Sequence, residues 1–99
     1  MAASILPPVH PGEFLREEYL VPLRMSAGAL AKRLNVPRTR IERLVAEQTA
    51  MTTDTALRLG KFFRTAPEFW MNMQAGYDLM IEAAAKKAEL ARIKTLAAA

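Results

Sequence analysis

Between Ser26 and Glu47 the chain reads SAGALAKRLNVPRTRIERLVAE, and the spacing of its apolar residues leaves little choice of local structure. Leu30, Ala31 and Leu34 recur at intervals of three and four, as one face of a helix requires, and Ile41, Leu44 and Val45 repeat the pattern. Ser26 is a good N-cap for the first of these helices. Asn35 follows it, and asparagine tolerates the left-handed conformation better than most residues with a side chain. Val36 then turns inward and Pro37 opens the second helix. Ala31 is small where the two helices cross. The stretch therefore predicts two short helices joined by a tight turn, a helix-turn-helix.

The flanking sequence adds further helices and no strand. His10-Pro11-Gly12-Glu13 starts the first, with proline at a position where its missing N–H goes unnoticed and Glu13 in the first turn. His10, the lone histidine, is read as a cap or surface residue. Phe14, Leu15, Tyr19 and Leu20 share a face, and Pro22 predicts an end near Leu20. Thr52 caps a fourth helix, with Thr53 and Asp54 in its first turn and Ala56, Leu57, Leu59, Gly60 and Phe63 as its packing surface. Ala66-Pro67-Glu68 starts a fifth, running past Gly76, which could weaken or bend it, to about Ile93 before fraying. Ninety-nine residues suffice for one core. The expectation is an all-α domain of five helices, the last one long. Residues 1–9, with two adjacent prolines, are expected to form an extended or mobile arm, residues 10–80 the helix-turn-helix domain, and residues 81–99 a helical extension and tail.

Charge is distributed unevenly. Residues 32–64 carry eight basic and three acidic side chains, whereas residues 1–31 are slightly acidic and residues 65–99 balanced. A polyanion is attracted to that middle stretch, although a solvated basic face would have the same composition. In a helix-turn-helix the N-terminal residues of the second helix enter the major groove of DNA. Arginine donates two hydrogen bonds to guanine, and threonine meets a thymine methyl or a base edge. Arg38, Thr39 and Arg43 are thus candidates for base contacts. Arg40 points elsewhere, by about 100° per residue, and suits a phosphate. Ser26, Thr52 and Thr53 sit at helix starts whose N–H groups suit phosphate; plain N-capping is an equally good account of each.

The face made by Phe69, Trp70, Met73, Tyr77, Met80 and Ile81 is broader than one small core needs. Phe69 and Trp70 should pack largely under the helix-turn-helix. Trp70, Met73, Tyr77, Met80 and Ile81 are candidates for a two-fold dimer contact, the alternative being a purely intramolecular core. A dimer doubles the base contacts on an inverted repeat, with half-sites about 34–36 Å apart.

Catalysis has little to work with. There is no cysteine, one histidine, and serine only at Ser4 and Ser26; neither a triad nor a metal set is expected. Glu17 and Glu18 are adjacent and diverge on a helix. No cofactor is expected. No apolar run reaches the length of a membrane span, so a cytoplasmic protein is expected.

Counted from Ala27 as first residue, Ala31 is fifth, Asn35 ninth, Ile41 fifteenth and Leu44 eighteenth, which resembles the twenty-residue motif of phage-repressor-like (XRE-type) domains. That family usually has glycine at the ninth place. HPGEFLREEYLVPL, the helix-turn-helix, TALRLGKFF and PEFWMNMQAGYDL together are similar to the HigA/VapI antitoxins, from His10 to about Leu79. The resemblance implies a DNA-binding autorepressor of its own operon, acting as a homodimer on an inverted-repeat operator in double-stranded DNA. It also implies a HigB-like ribonuclease toxin as partner, neutralised by direct binding. A stand-alone XRE-type regulator without a toxin, or an interaction module that has lost operator binding, would carry the same fold. The arm 1–9 and the tail 82–99 are both open as toxin-binding surfaces.

Overall fold

A computed structural model describes residues 9–97, and among them every regular element is a helix. Residues 11–23 form one continuous helical rod, α1. Then come α2 (Ala27–Leu34), α3 (Arg38–Val45), α4 (Thr53–Phe63), α5 (Pro67–Ala85) and a short α6 (Lys87–Ala91). The all-α expectation and the order of elements hold. The N-terminal arm, apart from Val9, and the last two residues of the tail lie outside the described residues.

The first helix outruns its expected end. It begins as α-helix at Pro11–Leu15, widens to a π-helix over Arg16–Leu20, and returns to α-helix at Val21–Leu23, passing through Pro22. Proline in a helix lacks a donor and crowds the carbonyl four residues earlier. Here the register before it has already shifted: the Val21 N–H bonds Arg16 O, five residues back. The wider π turn relieves the conflict that a strict α-helix would meet. Arg24 then ends the rod in the left-handed conformation, at φ 53°.

The α2–α3 turn is built as its sequence suggests. Ser26 Oγ accepts from the Ala29 N–H at 3.0 Å. Asn35 is left-handed at φ 59°, and the Val36 N–H closes back on Ala31 O at 3.1 Å. The glycine of the family pattern is replaced here by the residue best able to imitate it.

One core joins the elements. Leu15, Leu30, Ile41, Leu44, Ala56, Leu59 and Trp70 are buried, with Phe14, Tyr19 and Phe63 packed around Trp70 or its neighbours. On α4 the buried positions are Thr55, Ala56, Leu59 and Gly60, so Leu57, expected inside, is left 55% exposed, about 130° round the helix from the middle of that stripe.

Beyond the core α5 runs on alone. It passes Gly76 unbroken and stops at Lys86, whose φ −105° and ψ 15° interrupt the helix that had been expected to reach Ile93. Residues 78–97 are all exposed. Among the described residues, only local propensity and pairs such as Lys86–Glu82, at 2.8 Å, hold this segment. The radius of gyration is 16.7 Å, against about 13 Å for a compact chain of this length.

Candidate nucleic-acid interface

α3 buries Ile41 and Leu44 and leaves Arg38, Thr39, Arg40, Glu42 and Arg43 in solvent. Its C-terminal end is held by α1, and the loop after it by α5. At its C-terminal end Gly12 of α1 is pressed against the Leu44 carbonyl so closely that a Cβ on Gly12 would overlap it. Beside that contact the half-buried Arg16 donates to Val45 O and reaches Glu47 Oε2 at 3.4 Å, supplying donors where α3 runs out of its own. The loop that follows is pinned by Gln74 of α5, 6% exposed, whose Oε1 accepts from the buried Met51 N–H at 2.7 Å. Gln74 Nε2 in turn donates to Asp78 Oδ1 at 2.9 Å.

The HPGE start contributes to this placement. His10 is an N-cap, but a buried one at 5% exposure: Nδ1 accepts from the Gly12 N–H at 2.9 Å, and the ring meets Tyr77 edge-on with centroids 5.0 Å apart. The cap reading of His10 holds; the surface alternative does not.

Two grooves flank α3. One is lined by Ser26, Gly28, Lys32 and Arg38. Arg38 lies across Gly28, where an added Cβ would stand 2.8 Å from Arg38 Cδ, and it pairs with Glu42 at 3.3 Å while keeping 73% of its side chain exposed. The other, of about 450 Å³, is lined by Thr39, Arg40, Arg43, Thr49, Thr52 and Asp54. The base candidates Arg38, Thr39 and Arg43 thus stand on one exposed helix. The starts of α2 and α4 lie beside them, bringing Ser26 and Thr52 to the same region.

The phosphate candidates differ from one another. Ser26 uses its oxygen as a cap acceptor, which leaves the hydroxyl proton for an anion. Thr52 accepts from the Thr55 N–H at 3.3 Å and donates its own proton to Thr55 Oγ1 at 3.1 Å, so it is committed to capping twice over. Thr53 is exposed in the first turn of α4. Arg40 is ion-paired with Asp54, which also receives Arg58 Nε at 2.9 Å. Arg40, followed by Arg58, holds the Asp54 carboxyl below the usual carboxylate range through these hydrogen bonds. Arg58 Nη1 donates to Leu34 O at 2.8 Å and so ties the group to the end of α2. Asp54 was read from the sequence only as a first-turn residue of its helix, without its arginine partners, and Gln74 was not singled out at all. The only hint of the first was Asp54 standing four residues before Arg58.

On α5 one dimer candidate is corrected. Trp70 is wholly buried in the protomer's own core, its Nε1 donating to Thr65 Oγ1 at 2.8 Å, and offers no surface to a partner. Met73 and Tyr77 are half-buried. Met80 and Ile81 are 42% and 48% exposed and adjoin Leu79, at 73%.

Among the described residues no group of three histidines, cysteines or carboxylates could hold a metal ion, and no helix is long and apolar enough to cross a membrane.

No protein-family model matches the chain. Virulence-associated protein I of Dichelobacter nodosus is 54% identical over 74 residues, covering 75% of this chain and 68% of that protein. Antitoxin HigA-1 of Vibrio cholerae is 35% identical over 72 residues, covering 73% and 68%. Among solved structures, the Pseudomonas aeruginosa antitoxin HigA with the higBA promoter superposes with a TM-score of 0.87 at 40% identity, covering 91% of this chain and 99% of that one.

Proposed function

The chain belongs to the HigA/VapI family of helix-turn-helix antitoxins, and from that premise we propose that it is a sequence-specific DNA-binding autorepressor that also neutralises a HigB-like ribonuclease toxin by direct binding. The observation that carries the DNA half is the exposed face of α3. Arg38, Thr39 and Arg43 project from a helix locked at its C-terminal end, with Ser26 and Thr52 in the grooves beside it. A rigid mount matters because base readout needs donors held in place before contact.

In this reading Arg38, Thr39 and Arg43 contact bases, while Ser26, Thr53 and the N–H groups at the starts of α2 and α4 hold phosphates. Residues 10–80 are the DNA-binding domain and 81–99 an extension. Two copies pair about a two-fold axis through Met73, Tyr77, Met80 and Ile81 of α5. The pair reads an inverted repeat in double-stranded DNA with half-sites about 34–36 Å apart. The protein acts in the cytoplasm, with no catalytic step of its own.

The test has two arms. DNA upstream of the protein's own gene should be protected over an inverted repeat, and co-expression should restore growth to cells producing the toxic product of the adjacent reading frame. Protection without rescue would leave a regulator that has no toxin. Rescue without protection would remove the repressor half.

A further inference from the structure

We propose that Asp54 is a specificity-determining residue that restrains Arg40 and so suppresses binding to DNA of the wrong sequence; the inference rests on the DNA-binding reading above. Three arginines stand on the exposed side of α3, and their restraints differ. Arg38 pairs only within its own helix, with Glu42. Arg43 makes no side-chain hydrogen bond or ion pair among the described residues. Arg40 alone is held by another element, through Asp54 in the first turn of α4.

The restraint is itself anchored. Arg58 binds the same Asp54 oxygen at 2.9 Å and Leu34 O at 2.8 Å. The carboxylate is therefore fixed between α2 and α4 in the groove shared with Thr39, Arg43 and Thr52. A negative charge in a groove facing DNA repels phosphate. For Arg40 to grip the backbone, it must leave or share Asp54. On the operator the register set by the base contacts of Arg38, Thr39 and Arg43 leaves Arg40 on Asp54, and the cost does not arise. On other duplexes only phosphate attraction is available, and Arg40 adds to it only by meeting that cost, so non-operator binding alone is weakened. Asp54 thus widens the gap between right and wrong DNA without touching a base.

The experiment is a salt series of duplex-binding isotherms on the dimeric protein. Its two probes are the duplex enriched by selection from random DNA and a shuffled duplex of equal length and composition. Asp54→Asn should tighten binding of the shuffled duplex about five- to tenfold at 0.1 M salt and steepen its salt slope by about 1.8 for the dimer, about 0.9 for the phosphate contact that each protomer adds. Operator affinity should rise less, so the ratio falls. With Arg40→Ala also present, the gain should vanish to within twofold of Arg40→Ala alone. Asp54→Glu should restore the wild-type ratio. Asp54→Ser, which suits the start of a helix, replaces the Asn variant if that one unfolds early. A gain that persists in full beside Arg40→Ala would reduce Asp54 to one surface charge among others and overturn the proposal. So would an Asn variant that weakens only the operator complex. If the wild type itself shows no preference for the selected duplex, the DNA-binding reading fails, and this inference with it.

Discussion

Gly12 and Leu44 meet backbone to backbone, with no room between the start of α1 and the end of α3 for even a methyl group. The first helix is thereby set directly against the helix that carries the candidate base contacts. Gly12→Ala should push that end of α3 outward and cost about 1–3 kcal/mol of stability. Gly76→Ala is the matched control: it lies in α5, where an added Cβ meets nothing within 4 Å, and it should gain about 0.5–1 kcal/mol from helix propensity. Thermal unfolding of the two variants should move in opposite directions. A common direction would contradict the packing described.

Gln74 should matter more than its polar character suggests. Gln74→Leu keeps much of the bulk but leaves the buried Met51 N–H without its acceptor. An unpaired buried donor costs about 1–3 kcal/mol. Denaturant titration should detect that loss, and hydrogen exchange should show the Met51 amide opening first. An unchanged midpoint would mean that the loop rests on other contacts.

Asp54 predicts an acid response. Its carboxyl is held below the ordinary value in the folded protein by Arg40 and Arg58. The stabilisation is therefore present at pH above the ordinary carboxylate range, about 3.9. It is lost as pH falls through the lowered folded-state value. Wild type and Asp54→Asn should differ in Tm at pH 6, and the difference should shrink as pH falls below about 3.9. A difference that grows towards low pH would have the wrong sign for this pair.

The sequence made the helical order legible because its signals are local: Ser26, Asn35 and Thr52 cap or end helices where their chemistry says they should. The exposed arginines of α3 were legible for the same reason, since Ile41 and Leu44 define the opposite face. What escaped was settled by contacts distant in sequence or by register. Pro22 is tolerated through a π turn that no propensity announces. Trp70 goes entirely inward because Phe14 and Tyr19 of α1 pack on it, with Phe63 of α4 behind Tyr19. Arg40 looked free for phosphate because Asp54 is fourteen residues away in the chain.

Met80 and Ile81 should be needed for pairing of two copies and not for folding. Both are substantially exposed in the single chain. Met80→Asp with Ile81→Asp should leave Tm at high dilution nearly unchanged while light scattering shifts from dimer to monomer. An unchanged dimer would move the two-fold contact elsewhere.

The most direct measurement is selection of bound fragments from random duplex DNA by the purified protein, repeated with Arg38→Ala. The expected result is enrichment of an inverted repeat whose half-sites lie about 34–36 Å apart, with loss of about 1–3 kcal/mol and relaxed choice at one position in the variant. No enrichment by the wild type, with only weak salt-sensitive binding, would contradict it and leave the helix-turn-helix as a scaffold for a protein partner.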